Sequence, residues 1–141
     1  MIEHIEHSGE LMAIIIRSSY SRPGITFVTD PELSQQVAYM QHARGKLIEP
    51  HLHNRVHREV HLTQEVLLLR KGRMRVDFYD GQRNYLQSRT LDAGDVILLI
   101  SGGHGFEVLD DLEMFEVKQG PYAGDDDKTR FPAATVIRSS S

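Results

Sequence analysis

Short apolar runs separated by turn-forming residues are the feature that most restricts what this chain can fold into. Residues 11–16 and 25–29 are rich in β-branched side chains and flank a Pro-Gly turn. Residues 74–79 alternate between apolar and polar side chains, and residues 96–100 form a continuous apolar run. The pattern predicts an all-β fold, either a sandwich or a barrel, in which residues 11–16 and 25–29 form a hairpin or edge strands.

The second half of the chain also alternates strands and turns. Residues 74–79 and 85–91 predict a hairpin around Asp80-Gly81, with one face in the core and the other turned to water or to a polar cavity. We favour an exposed face for its charged side chains, arginines included. Residues 109–112 predict a further turn that leads into a strand over residues 113–118.

Composition narrows the class of protein. The chain has 141 residues, 40% of them hydrophobic and 26% charged, which favours one globular domain over residues 1–141. A net charge of −4 predicts that neither nucleic acid nor an anionic membrane is a partner. The absence of cysteine excludes disulfides and thiolate metal sites. The apolar runs are too short to span a bilayer, and residues 1–7 read as a polar leader without a secretory signal, which predicts a cytoplasmic location.

A pair of histidines has the spacing of metal ligands. His51 and His53 are two residues apart, so in a β-strand both side chains project to the same face. Glu65 begins the next apolar run and can supply a carboxylate oxygen from a neighbouring strand. Two imidazoles and a carboxylate suit a divalent Fe, Mn, Ni, Co or Zn ion. The alternative is a pair of solvated histidines in a polar loop; the glycines that bracket the pattern, Gly45 and Gly72, favour the metal site.

These residues resemble the conserved motifs of the cupin superfamily, small β-barrels with a metal inside. The first motif is matched by five residues: Gly45, His51, His53, Glu65 and Gly72. Residues 94–106 resemble the second motif, in which His104 is the last ligand. The resemblance covers about residues 35–118. It implies a cupin-type jelly-roll barrel (a double-stranded β-helix), with N-terminal strands over residues 11–29 and a C-terminal segment, residues 120–132, that docks on the barrel or on a second subunit.

The resemblance also implies a site and an assembly. A divalent transition metal would be bound inside the barrel by four residues: His51, His53, Glu65 and His104. Small cupins commonly pair through edge strands, which predicts a homodimer.

Some positions in the site leave alternatives open. His104 comes one residue earlier than the family pattern has it, so either the flanking glycines turn it inward or Glu107 or an insert histidine replaces it. The insert, residues 54–64, carries His57 and His61 and suits either a helix or an irregular loop over the barrel mouth.

Glu116 and Lys118 are the candidates for acid–base chemistry. They share one face of the strand over residues 113–118, while Phe115 and Val117 share the other. If Phe115 and Val117 pack between sheets, the charged pair is exposed, which is the reading we favour; if the parity is reversed, the pair faces the metal.

Several short runs further resemble uncharacterised small cupins associated with sugar and surface-polysaccharide biosynthesis: residues 64–67, 75–80, 102–107 and 118–122. This resemblance implies an enzyme, isomerase-like or epimerase-like, whose substrate is a small sugar-derived molecule such as a nucleotide-sugar. An iron-dependent oxygenase is one alternative, because two histidines and a carboxylate can form a facial set with open positions. A module that binds a small ligand without catalysis is the other.

Overall fold

The computed structural model describes residues 1–135, which contain eight β-strands and one short 3-10 helix. The strands are β1 (Ile2–His7), β2 (Glu10–Ile16), β3 (Gly24–Phe27), β4 (Ala38–Gln41), β5 (Glu65–Tyr79), β6 (Tyr85–Asp92), β7 (Val96–Leu99) and β8 (Gly103–Lys118), and the helix is Gly124–Asp127. All pairings are antiparallel. The main sheet has the order β1-β2-β7-β5-β6, β8 pairs with the other edge of β5, and β3 and β4 form a small separate sheet.

The long strands β5 and β8 curl the main sheet into a half-barrel. Glu65, at the start of β5, pairs with Lys118, whereas Phe78, near its end, pairs with His104. The side chains of Glu65 and His104 nevertheless meet at 3.7 Å, so the two ends of the β5/β8 ribbon come together. The register is irregular between Leu69 and Met74, where the ribbon bends.

Gly72 lies in that irregular part of β5, and its identity has a physical reason. Its φ is +93°, a region that side chains disfavour. A Cβ at this position would also collide with the backbone carbonyl oxygen of Asp111 on β8.

The turn predicted over residues 109–112 is wrong: β8 runs through these residues without a break, and its turn-forming aspartates lie opposite the irregular part of β5.

Two apolar clusters stabilise the main sheet, one on each face. The inner face of the half-barrel is filled by buried side chains from β1, β2, β5, β6 and β7: Ile5, Met12, Ala13, Ile15, Leu67, Leu69, Met74, Val76, Phe78, Leu91, Ile97 and Leu99. On the outer face, Ile14, Leu98 and Ile100 pack against side chains that include Val28 and Val37, from the loop between β3 and β4.

The sequence predictions for individual strands have mixed outcomes. The strands around residues 11–16, 74–79, 85–91 and 96–100 are confirmed, and the coarse prediction of an all-β fold is confirmed with them. The hairpin between residues 11–16 and 25–29 is wrong, because β2 pairs with β1 and β7 while β3 pairs with β4. The prediction that residues 1–7 are a polar leader is wrong as well, because residues 2–7 form β1, whose Ile5 is buried in the inner cluster.

A long connection between β4 and β5 stands apart from the sheet. Every residue of this connecting segment, defined as residues 42–63, is exposed and none belongs to a helix or strand. The insert is therefore an irregular loop. Three of its apolar side chains, Leu47, Ile48 and Leu52, are exposed, and Leu52 reaches 91%.

The C-terminal segment returns to the sheet after β8. Phe131 packs edge-on against Tyr79, with ring centroids 5.0 Å apart, and the Ala134 amide donates to the Tyr79 hydroxyl at 3.1 Å. Phe131 therefore docks as predicted, whereas Tyr122 is exposed. The frayed tail predicted at residues 138–141 lies outside the described residues. Residues 1–135 contain no helix with the length and apolar character needed to cross a membrane.

Candidate functional site

Glu65 and His104 meet at the inner face of the half-barrel. His104 Nε2 lies 3.7 Å from Glu65 Oε1, and the two side chains are only 28% and 12% exposed. Glu65 shares its face with Leu67, two residues on, and His104 lies opposite Phe78; both apolar residues belong to the inner cluster. Two of the four predicted ligands, distant in sequence, are thus brought together by the curl of the sheet.

Glu116 joins these two residues on the inner face. It lies opposite Leu67 in the β5/β8 register, so the two side chains share a face. Phe115 and Val117 point to the outer face and are exposed. The register thus places Glu116 and Lys118 on the same face as Glu65, although Glu116 itself is exposed and Lys118 is half-buried. The part of the preferred reading in which Phe115 and Val117 pack between sheets is wrong.

The surroundings of the cluster shift the pKa values of the two carboxyl groups in opposite directions. Burial raises the pKa of Glu65 to about 7, and a hydrogen bond to Glu116 together with the negative charge of Glu116 adds to the rise. The pKa of Glu116 is lowered, chiefly because protonated Glu65 donates that hydrogen bond. Below about pH 7, Glu65 therefore holds a proton while Glu116 is an ionised acceptor. Burial lowers the pKa of His104, and the positive charge of Lys128 lowers it further, so His104 is neutral.

The other predicted ligands lie elsewhere. His51 and His53 are exposed in the connecting segment, where their ring centroids are 5.2 Å apart, and neither contacts Glu65 or His104. His57 and His61 are exposed too, each within 4 Å of Glu59. Glu107 pairs with Arg75, at 2.8 Å from Nη1 to Oε2, on the face opposite His104.

The side chains that meet in the cluster only partly match what a metal site needs. The imidazole of His104 and the carboxylate of Glu65 are ligands that Fe, Mn, Ni, Co and Zn accept. Within residues 1–135, however, no group of three or more His, Asp or Glu side chains is arranged to hold an ion. As the chain is arranged, two donors meet and the two from the connecting segment do not reach them.

Sequence reasoning missed a buried ion pair on the face of β5 opposite the inner cluster. Arg75 Nε lies 2.7 Å from Asp77 Oδ1, and Asp77 also accepts a hydrogen bond from the Ser88 hydroxyl at 2.6 Å. Both charged side chains are buried, so the prediction that this face is exposed is wrong. Opposite charges two residues apart on one strand face were the available signal, because a buried charge needs a partner.

Sequence reasoning also missed the contacts that the chain after β8 makes beside the start of β5. Asp127 accepts a hydrogen bond from the Thr63 hydroxyl at 2.8 Å and lies 3.4 Å from the Lys118 ammonium. Lys128 follows directly. The run of mixed charge at residues 125–130 was the only signal in the sequence, and it did not indicate a direction.

Comparison of the chain with protein-family models, with curated proteins and with solved structures finds no match.

The raised pKa of Glu65 predicts a pH dependence of stability in metal-free protein. The folded chain keeps a proton on Glu65 up to about pH 7, whereas the unfolded chain releases it near the ordinary glutamate pKa of 4.5. The contribution of protonated Glu65 to the unfolding free energy is fully present below pH 4.5 and is lost as the pH rises to 7. We therefore expect Glu65→Gln to gain stability relative to the wild type between pH 4.5 and 8.

Urea unfolding of both proteins in a chelating buffer, at several pH values across that window, measures the effect. The quantity to compare is the difference in unfolding free energy between the variant and the wild type. Both proteins contain His104, whose lowered pKa has the opposite effect: its contribution to stability grows as the pH rises towards the ordinary histidine pKa of 6.5. Taking the difference removes this shared effect. A stability difference that stays constant across the window would contradict a raised pKa at Glu65.

Proposed function

We propose that this chain is a metal-binding cupin-type barrel that acts in the cytoplasm on a small sugar-derived substrate, in the manner of an isomerase or epimerase. The observation that carries the proposal is the meeting of Glu65, His104 and Glu116 on the inner face. It combines two ligand-type side chains with an ionised carboxylate beside them, which is what proton transfer at a metal site requires.

Closure of the half-barrel by the connecting segment is part of this proposal. Within residues 1–135, β8 pairs with β5 alone, so its other edge carries unpaired backbone groups. Phe106 and Val108 lie opposite the core residues Val76 and Met74, yet both are exposed, as a face awaiting a cover would be. Residues 45–53, placed along this edge, would complete a jelly roll and carry His51 and His53 towards the cluster.

Charge supports the same placement. The strand β8 carries five acidic residues: Glu107, Asp110, Asp111, Glu113 and Glu116. The connecting segment carries more basic than acidic residues, with Arg44, Lys46, Arg55 and Arg58 against Glu49 and Glu59. Complementary charges favour the pairing of these two parts of the chain over the pairing of β8 with another β8.

In the closed barrel, His51, His53, Glu65 and His104 would hold a divalent transition metal. Such an ion would polarise a carbonyl or hydroxyl group of the substrate. The carboxylate of Glu116 would take a proton from the carbon next to that group and return it to the neighbouring carbon or to the opposite face. Lys118, on the same face, would balance the negative charge that develops on the substrate.

Deuterium incorporation tests the proposal. Protein purified with its metal, identified by elemental analysis, is incubated in D₂O with aldoses, sugar phosphates and nucleotide-sugars. We expect deuterium at the carbon next to the carbonyl of at least one substrate, and a loss of at least about a hundredfold in Glu116→Gln, because general acid–base catalysis contributes that much. Oxygen uptake without incorporation would support the oxygenase instead, and saturable binding without either would support a non-catalytic module.

We also propose that the protein is a homodimer. Leu68, Phe115 and Val117 are neighbours on the outer face of the β5/β8 ribbon, and all three are exposed. An exposed apolar patch on a sheet face marks an interaction surface. Sedimentation equilibrium at micromolar concentration should give twice the chain mass of 16.1 kDa. Val117→Arg, which places a charge in the patch, should shift the protein to the monomer.

A further inference from the structure

The small sheet of β3 and β4, which we call the arm, has one covered face. On that face Tyr39 packs edge-on against Tyr20, with ring centroids 4.9 Å apart, and the Gln41 side-chain amide donates to the Ser21 hydroxyl at 3.0 Å. Within residues 1–135 the two strands of the arm pair only with each other. A two-stranded sheet gains stability when its other face is covered as well.

The other face of the arm is apolar and open. Side chains directly opposite each other in the register share a face, so Ile25 lies beside Met40 and Phe27 beside Ala38. The first three of these large side chains, Ile25, Met40 and Phe27, are 53–61% exposed. Neither strand of the arm contains a charged residue. An uncharged apolar face with an aromatic ring and a methionine has the composition of the core of a protein interface.

The arm stands next to a second apolar surface, the outer-face patch, which consists of Leu68, Phe115 and Val117. A groove of about 380 Å³ lies between the two, lined by residues 35–38, Val66 and Val117. Ala38 belongs to the open face of the arm, and Val117 belongs to the outer-face patch. The two apolar surfaces are therefore continuous and form the two walls of one groove.

The combined surface has the size of one half of a dimer interface. Six large apolar side chains contribute to it, each 42–61% exposed: Ile25, Phe27, Met40, Leu68, Phe115 and Val117. Because a side chain of this size carries roughly 200 Å² of surface, the six together offer on the order of 600 Å² per copy. That is the upper limit of the patches that monomers expose, about 300–600 Å². It supplies most of the roughly 800 Å² that each partner buries in a standard interface.

We propose that two copies of this chain dock reciprocally: the arm of each copy packs into the groove of the other and covers its outer-face patch. The inference builds on the homodimer proposed above and adds which surfaces meet. Each copy offers one arm and one patch, so a two-fold axis satisfies all four surfaces and leaves no open end for a third copy.

The charges around this surface favour a second copy as its occupant. The chain has a net charge of −4, so two copies repel each other unless charged groups stay out of the contact. The arm has no charged group, and at the patch the charge of Arg70 is balanced within the chain. Its guanidinium lies 5.1 Å from the Phe115 ring centroid and 2.7 Å from Glu113 Oε1. A chain of the same net charge can therefore approach this surface without an unpaired like charge at its centre.

Engineered cysteines test which surfaces meet, because the chain has no cysteine of its own. Met40→Cys and Val117→Cys are prepared separately, refolded together from urea so that mixed dimers form, and treated with a short bis-maleimide at micromolar concentration. We expect a covalent dimer from the mixture and none from either variant alone. Gln82→Cys, at an exposed position in the turn after β5, replaces Met40→Cys in the control mixture and should give no covalent dimer.

The other arrangements of two copies give different products. A covalent dimer from Val117→Cys alone would mean that two patches face each other, and one from Met40→Cys alone would mean that two arms meet. Either result would overturn reciprocal docking. The absence of a covalent dimer from the mixture of Met40→Cys and Val117→Cys would overturn it too.

A charge on the open face of the arm tests the same proposal without a cross-link. Ile25→Asp should raise the dissociation constant of the dimer by about tenfold or more, because it places a charge in the core of the interface. Val56→Asp is the matched control: Val56 is 58% exposed in the connecting segment, close to the 54% of Ile25, and its replacement should leave the dissociation constant unchanged. Sedimentation equilibrium measures both. Equal dissociation constants for the wild type and Ile25→Asp would contradict the proposal.

The effect at the arm is on association and not on the fold of the single chain. Phe27→Ala should leave urea unfolding nearly unchanged at a protein concentration low enough to keep the copies apart, because the open face is exposed in a separated chain. At a concentration well above the dissociation constant, the same variant should show a smaller dimer fraction than the wild type.

These outcomes are distinct from those that test the proposed function. A dimer that is cross-linked through Val117→Cys alone would keep the proposed homodimer and remove reciprocal docking. A protein that stays monomeric would remove both and leave the metal site and the deuterium exchange to their own tests. Reciprocal docking in a protein that takes up no metal would stand without the metal-site proposal.

Discussion

Replacing His51 and His53 together by alanine is expected to abolish bound metal. Loss of a residue that only hydrogen-bonds to a metal ligand weakens metal affinity by up to ~100-fold. Loss of two of the four ligands themselves should weaken it by well over that factor. The fold should survive, because both side chains are exposed and neither belongs to an apolar cluster. Elemental analysis after dialysis gives the stoichiometry, and urea unfolding shows whether the transition stays cooperative.

The same segment supplies a matched control. His57 and His61 are as exposed as the first pair and lie in the same irregular loop. The double alanine variant of this second pair should keep a full equivalent of metal. Retention of metal in the variant of His51 and His53 would rule out the proposed ligand set. Loss of metal in the control variant alone would assign the ligands to the insert.

Phe78→Ala is expected to cost about 3–5 kcal/mol of unfolding free energy, the range for removing a buried aromatic side chain. Phe78 is 1% exposed in the inner cluster and lies opposite His104. The cavity would therefore open in the wall that holds the site. Metal affinity should fall along with stability, because the position of His104 depends on this pairing.

Phe27→Ala is the matched control for this change. Phe27 is 61% exposed on β3, so its removal should change stability by no more than about 0.5 kcal/mol. Urea unfolding of the two variants at one protein concentration makes the comparison. Equal losses in the two would mean that Phe78 does not lie in the core.

The strands that sequence predicted well are those with an unambiguous period. Met74, Val76 and Phe78 alternate with polar residues, and all three are buried in the inner cluster. The strand β1 was missed because its apolar residues, Ile2 and Ile5, are three apart, a spacing that does not follow the two-residue period of a half-buried strand. The register against β2 is regular from Ile2 to Ile5, so the two side chains lie on opposite faces of β1: Ile5 belongs to the inner cluster, and Ile2 packs against the outer one.

Sequence reasoning could not settle which side chains of β8 face the inner side of the sheet. Glu116 alternates with Phe115 and Val117, and the usual preference buries the apolar pair. The register of β8 against β5 decides otherwise, since Glu116 lies opposite Leu67. That register depends on irregular pairing around Gly72, which local pattern does not reveal. The motif predicted that Glu65 and His104 belong to one site, and the structure brings them together; the placement of His51 and His53 beside them stays a prediction.

The pairing of β5 with β8 has a consequence for the order of events during synthesis. The hairpins β1/β2 and β5/β6 join neighbours in sequence, but β2 pairs with β7 and β5 with β8 across long intervals. A nascent chain that ends before residue 103 therefore lacks one whole edge of β5 and keeps apolar surface uncovered on the ribosome. Folding dominated by such distant contacts takes roughly milliseconds to seconds. The half-barrel thus assembles only after residues 103–118 have emerged.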